Sequence, residues 1–285
     1  MQILNGNEVA KLIKLEIKAE VEQLVTNGSK KPHLAAILVG NDGASMTYVA
    51  AKAKDCEQVG FDSTVLRFDA SITEAELLKE VEKINNNPEI DGLIVQLPLP
   101  KHINEKKVTE TIKWQKDVDS FHPYNVGLMF KGLPCYLPAT PFGIIKLLEH
   151  YNIETTGKNC VVIGRSDIVG KPMSALMLYK NCTVTICHSK TVDINSFTQK
   201  ADILIAAVGI PNYVKAEMVK QGAVVIDVGI TRVDDNTEKG YKLVGDVDFE
   251  NVSKVAGYIT PVPGGVGPMT RVGLLLNTLL AIKAK

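Results

Sequence analysis

The stretch CVVIGRSDIVGKPMSALMLYK, residues 160–180, joins two kinds of pattern. Residues 160–163 form a continuous apolar run of strand length, closed by Gly164. From Gly170 onward the pattern is that of a helix. Between the two glycines lie five polar or mixed residues, enough for one tight connection. A strand that passes through glycine into a helix lets backbone N–H groups approach a phosphate, and the helix N-terminus favours an anion. The glycines are not spaced as G-x-G-x-x-G, so glycines that merely turn the chain remain an alternative reading. Three further buried-strand runs follow, CTVTICH at 182–188, ADILIAAVG at 201–209 and AVVIDVG at 223–229. Small residues close the last two, at the strand ends where an open parallel sheet binds ligand.

Upstream of residue 160 the same alternation is already present. Val9, Leu12, Ile13, Ile17, Val21 and Leu24 recur at helical spacing and predict an amphipathic helix over 7–26. HLAAILVG (33–40) reads as a buried strand, 44–60 as a helix ended by Gly60, and STVLRF (63–68) as a strand. Residues 73–87 open with a Thr73–Glu76 capping box and stop before Pro88. DGLIVQLPLP (91–100) is a third strand ended by prolines, 116–143 is loop-rich, and 141–151 is helical with Pro141 in its first turn. The fold class is therefore α/β, with parallel sheets covered by helices on both faces. Two domains are expected, 1–138 completed by a C-terminal helix over 268–285, and 139–267 with a Rossmann-like architecture.

The bulk properties exclude several classes. The 285 residues are 45% hydrophobic and 22% charged, with 32 Lys+Arg balanced by 32 Asp+Glu. That balance suits neither a nucleic-acid binder nor a basic membrane-surface protein. Five cysteines, at 56, 135, 160, 182 and 187, form no C-x-x-C, and the histidines form no ligand pair. No metal centre or disulfide framework is expected, and a reducing compartment, the cytoplasm, is. No apolar run is long enough to span a bilayer, and Lys and Glu interrupt the N-terminal segment as they would not in a signal peptide.

Four features carry candidate chemistry. The strand at 182–188 is followed by Ser189 and Lys190 instead of the acid that binds an NAD ribose, and Arg165 stands in the first turn. Hydroxyls and cations suit a 2′-phosphate, so NADP fits better than NAD, although Lys190 taken alone is more commonly a solvated surface charge. Tyr48 and Lys52 are four residues apart and share a helix face. Short-chain dehydrogenases use that spacing, but there the pair follows the nucleotide motif; here it precedes it, in another domain. A chance surface pair is the rival reading. Gln96 ends an apolar strand, where it either serves a ligand or bonds backbone. Asp119 lies in KDVDSFHP, a candidate acceptor or an ordinary turn former.

Taken together, GASMTYVAAKAKDCEQVG, GLIVQLPLP, KDVDSFHPYNVG, VVIGRSDIVGKPM and TPVPGGVGPMT (260–270) resemble the bifunctional methylenetetrahydrofolate dehydrogenase/methenyltetrahydrofolate cyclohydrolase family, essentially end to end. The resemblance implies two α/β domains with folate in the cleft between them, NADP as cofactor, and a homodimer. It implies catalytic roles for Lys52, Tyr48 and Gln96: Lys52 as base, Gln96 orienting it, Tyr48 stacking on the substrate. Leu97, Pro98, Asp119, Pro263 and Gly264 match folate-binding positions, Asp119 as the pterin acceptor. Gly164, Arg165, Ser166, Ser189 and Ile230 match NADP contacts. The chain departs from the family pattern at Ser120, where glycine is common, and at Arg271 and Val272, a change expected to affect packing only. Ser120 matters if the position needs φ > 0. A monofunctional dehydrogenase, a reductase acting on another carbonyl compound, and a non-catalytic nucleotide sensor are the alternatives.

Overall fold

A computed structural model describes residues 1–235 and 240–283 of the chain. Its elements are β1 (Gln2–Ile3), α1 (Gly6–Thr26), β2 (His33–Val39), α2 (Gly43–Val59), β3 (Asp62–Phe68), α3 (Glu74–Asn85), β4 (Gly92–Val95), α4 (Glu105–Thr111), α5 (Pro123–Phe130) and α6 (Ala139–His150). They continue with β5 (Asn159–Ile163), α7 (Gly170–Tyr179), β6 (Thr183–Cys187), α8 (Asn195–Thr198), β7 (Ile203–Ala206), β8 (Val224–Asp227), β9 (Thr231–Asp234), β10 (Tyr241–Val244), α9 (Phe249–Val252), β11 (Tyr258–Ile259) and α10 (Val266–Lys283). Two units result. One holds Met1–Ala10 with Thr140–Thr270, the other Lys11–Ala139 with the chain from Arg271 on.

The second of these units is built on a three-stranded parallel sheet in the order β3-β2-β4. The unbroken apolar run of β2 is explained by burial on both sides, as parallel sheets require. Leu34, Ala36 and Leu38 face one cluster, with Val49, Cys56 and Val59 of α2 and Leu274, Leu275 and Leu279 of α10. Ala35, Ile37 and Val39 face the other, with Leu77, Val81 and Ile84 of α3. Helix boundaries follow local chemistry. Asp42 caps α2 by accepting from Ser45 N at 2.8 Å, and Gly60 ends it in the left-handed region at φ 81°. The Thr73–Glu76 capping box of α3 forms as its spacing predicts.

The other unit carries a six-stranded sheet in the order β1-β11-β8-β7-β5-β6, with every pairing parallel. From β5 onward this is the doubly wound order 2-1-3-4-5, whose switch point lies between β5 and β7. One face packs Val161, Ile163, Leu204, Ala206 and Val225 against Val214, Met218, Val247 and Val252. An antiparallel hairpin, β9–β10, stands apart from the sheet.

The structure differs from the sequence expectation in several places. The first ten residues do not belong with the unit that contains Tyr48: β1 pairs in parallel with β11 of the other unit and Leu4 is fully buried. Two-residue strands carry no periodicity, so neither β1 nor β11 was visible in the sequence. The third strand is Gly92–Val95 only, because the chain turns away at Gln96. The loop-rich stretch contains α5, capped by His122 and started by Pro123.

One buried amide ties α10 into its unit. Asn277 is 1% exposed, and its Nδ2 donates to Val118 O and Leu137 O, both at 2.7 Å. Asn277→Leu keeps the volume but strands two buried carbonyls. It should lower unfolding free energy by about 2–3 kcal/mol, read as a lower denaturant midpoint with unchanged slope.

Candidate functional site

In the unit containing α2, four sequence-singled residues converge. Lys52 is 7% exposed, deep on α2. Its Nζ donates to Gln96 Oε1 at 3.3 Å and sits 4.8 Å from the centroid of the Tyr48 ring, one turn earlier. Gln96 is held in turn, since its Nε2 donates to Leu97 O at 2.7 Å. Gln96 thus bonds backbone at the strand end and also presents its oxygen to the amine. Asp119 arrives through a parallel bridge between Asp117 and Leu93, two residues before it, which lays this segment beside β4. Among the described residues nothing donates a hydrogen bond to the half-buried Asp119 carboxylate, whereas Asp117 accepts from Phe121 N, His122 N and Asn125 Nδ2. Asp119 is free to accept from a ligand; Asp117 is the turn former.

Electrostatics set the protonation of the pair. Burial lowers the Lys52 amine below the ordinary lysine range; Asp119 opposes this, and Arg271 adds to it. Burial raises the Asp119 carboxyl, with Lys52 opposing. A lysine that titrates low is a competent proton acceptor near neutrality.

Ser120 does occupy the left-handed region, at φ 60°. That backbone costs about 1–2 kcal/mol for a residue with a Cβ. It is offset by a buried hydrogen bond, Oγ donating to Tyr136 O at 2.7 Å, so the turn presenting Asp119 is kept without glycine. Arg271 is not a packing substitution. Its Nε pairs with Asp55 Oδ2 at 2.5 Å, and Lys14 Nζ pairs with Asp55 Oδ1 at 2.8 Å. Sequence reading missed Asp55, although its position three residues after Lys52 on one helix was the signal. Val272 is fully buried, as packing alone would have it. Leu97 and Pro98 follow Gln96 through a cis bond, and Pro98 is exposed.

The other unit gathers its candidates along the carboxyl edge of one parallel sheet. Gly164–Ser166 follow β5, Ser189 follows β6, Ile230 follows β8, and Pro263 and Gly264 follow β11. Glycine is required at two of these turns. At Gly164 φ is 125° and a Cβ would lie 2.2 Å from Ala207 O; at Gly170 it would lie 2.3 Å from Gly164 O. Without these Cβ atoms the N-terminus of α7 abuts the strand end, and its positive end faces the carboxyl edge of the sheet. Ser166 Oγ accepts from Val169 N and Gly170 N at 3.2 and 3.3 Å, shaping that N-terminus. Arg165, Ser189, Lys190 and Ile230 are all exposed, and no acid follows β6 directly. The residues fit a dinucleotide carrying a 2′-phosphate.

A buried carboxylate pair underlies this edge and was not singled out from the sequence. Asp227 accepts from Gly229 N, Asp246 N and Val247 N, and burial pushes its carboxyl up to about 6. Asp246 accepts from Val208 N and Gly209 N at 2.6 and 3.0 Å, fixing the loop after β7. The hint was Asp227, an acid closing the apolar run AVVI at 223–226. Among the described residues no group of three or more His, Cys, Asp or Glu could hold a metal ion, and no helix is long and apolar enough to cross a membrane.

Comparison with known proteins agrees with both halves. The tetrahydrofolate dehydrogenase/cyclohydrolase family matches in two parts, its catalytic domain over residues 4–119 and its NAD(P)-binding domain over 138–285. A bifunctional protein FolD from Phocaeicola vulgatus is 61% identical over 288 residues, covering 99% of this chain and 98% of the relative. The bifunctional enzyme FolD of Campylobacter jejuni superposes with a TM-score of 0.95 at 47% identity, covering 100% of this chain and 99% of that one. The Trypanosoma brucei methylenetetrahydrofolate dehydrogenase-cyclohydrolase, solved with NADP cofactor and inhibitor, gives 0.95 at 40% identity, with 99% and 97% covered. With matches of this identity over its whole length, the chain belongs to the tetrahydrofolate dehydrogenase/cyclohydrolase family.

Proposed function

We propose that this protein oxidises 5,10-methylenetetrahydrofolate to the 5,10-methenyl form with NADP and then hydrolyses that product to 10-formyltetrahydrofolate. The observation that carries the second activity is the buried Lys52 amine, hydrogen-bonded to Gln96 at 3.3 Å and lowered in proton affinity by burial. A pure dehydrogenase has no use for a base kept in this state.

The residues divide the work as follows. Asp119 accepts the paired N–H groups of the pterin, which explains why its carboxylate is left uncommitted. Tyr48 offers a ring face for stacking. Leu97 and Pro98, directly after Gln96, add folate contacts, and Pro263 and Gly264 of the other unit are folate-binding positions by the family resemblance. For the dehydrogenase step the chain supplies orientation and proximity. Gly164, Arg165, Ser166, Ser189 and Ile230 hold NADP, Arg165 and Ser189 supplying charge and hydroxyl for its 2′-phosphate. Hydride acceptance from the methylene carbon is the chemistry that NADP contributes when bound. For hydrolysis, Lys52 Nζ takes one proton from water as its oxygen bonds to the methenyl carbon and returns it to the pterin nitrogen; as the bond from carbon to that nitrogen breaks and the formyl C=O forms, the adduct's hydroxyl proton passes to the amine and on to solvent. Gln96 fixes the amine through its Oε1 and is itself fixed by Leu97 O.

We also infer a cytoplasmic enzyme of one-carbon metabolism that functions as a homodimer. The support for pairing is the edge of the six-stranded sheet: among the described residues β6 has a strand neighbour on one side only, and Ile186 on it and Leu178 beside it are 40% and 63% exposed. An apolar, unpaired edge of this kind favours a second copy.

Two experiments test these readings. With methylenetetrahydrofolate and either NADP or NAD, reduced nucleotide and methenyl absorbance are followed together; NADP should be preferred, and methenyl should decay faster than without enzyme. Lys52→Met should lower the decay rate by at least about 100-fold. Wild-type decay in that variant would remove Lys52 as base. Ile186→Glu should shift the species seen by light scattering from dimer to monomer; an unchanged mass would move the interface elsewhere.

A further inference from the structure

Lys52 is enclosed by groups from several elements. Tyr48 and Cys56 come from its own helix, Gln96 from the end of β4, Asp119 from the loop beside β4 and Arg271 from α10, and Arg271 is itself paired with Asp55 of α2, which Lys14 of α1 also holds. The Cys56 thiol, pushed up to about 12 by burial, is neutral and adds no charge. Arg271 acts on the amine as one of three linked charged groups, with Asp55 and Lys14. Asp55 is 5% exposed and lies three residues from Lys52 on one helix face. An unpaired carboxylate on this helix face would favour a proton on the amine. Asp55 is instead clamped on both oxygens, by Arg271 Nε at 2.5 Å and Lys14 Nζ at 2.8 Å, with Gln58 Oε1 also accepting from Lys14 at 2.9 Å. One negative charge faces two positive ones, so the cluster presents a net positive charge to the buried amine. A lone ion pair placed for stability needs only one cation; the second changes the sign of the field.

We propose that Arg271, acting through its clamp on Asp55 together with Lys14, is a positioning residue for hydrolysis that keeps the Lys52 amine unprotonated. The inference rests on Lys52 being the base. Arg271 touches neither substrate nor reacting atoms; it enters through charge. Its place on α10, packed by Leu274 and Leu275 against Val49 and Cys56 of α2, fixes the distance over which that charge acts.

The test is the pH profile of methenyl hydrolysis, measured on the intact protein with 5,10-methenyltetrahydrofolate. The rate falls on the acid side as Lys52 becomes protonated, so a higher proton affinity moves that limb to higher pH. Arg271→Gln removes a positive charge and should move the limb up by on the order of one pH unit. Asp55→Asn removes the negative charge and should move it down. Arg271→Lys restores the charge and should return the limb toward wild type. Opposite shifts from two substitutions that both break the same ion pair cannot come from loosened packing. Limbs that stay in place, or that move together in one direction, would overturn the proposal, and the Asp55→Asn and Arg271→Lys arms decide it should Arg271→Gln not fold. A Lys52→Met variant that still hydrolyses methenyltetrahydrofolate would instead remove the base assignment on which it stands.

Discussion

An amine held away from water resists carrying a proton, and the environment of Lys52 is arranged around that fact. Burial in the α2 face removes its hydration, and Gln96 gives it one fixed hydrogen bond in return. The surrounding charges then set how far the balance tips. Asp119 is far enough from hydrogen-bonding reach to leave its carboxylate for a ligand, yet near enough to oppose the loss of the proton. Each neighbour has a defined effect on one equilibrium, which is the usual signature of a tuned acid–base group.

The backbone supports this by simple means. Asp42 fixes where α2 starts, Gly60 fixes where it ends, and Lys52 is thereby set at one height along the sheet. The bridge between Leu93 and Asp117 brings the Asp119 loop to the strand that ends in Gln96. Ser120 shows how a position suited to glycine can be kept by another residue: the strain of the left-handed backbone is met by a buried hydroxyl-to-carbonyl bond of similar size. In the other unit the same economy appears at Gly164 and Gly170, where a missing Cβ lets helix and strand end meet. Asp227 and Asp246 then hold the adjoining loops through backbone amides alone.

Much of this was legible in the chain itself. The alternation of apolar runs with helical patterns gave the α/β class, because a parallel sheet buried on both faces leaves no other pattern. The Thr73–Glu76 box, the Gly60 stop and the residues Tyr48, Lys52, Gln96 and Asp119 could be named from local chemistry and family resemblance, since helix periodicity and distinctive motifs are properties of sequence alone. The first ten residues, Asp55 with Arg271, and Asp246 could not. Their partners lie far along the chain: β1 with β11, Asp55 with Arg271 at a separation of 216 residues, Asp246 with Val208 at 38. Strand pairing and charge pairing at such distances leave no period to read, and whether an arginine at 271 is a packing change or half of a clamp depends on which side chain folding places opposite it.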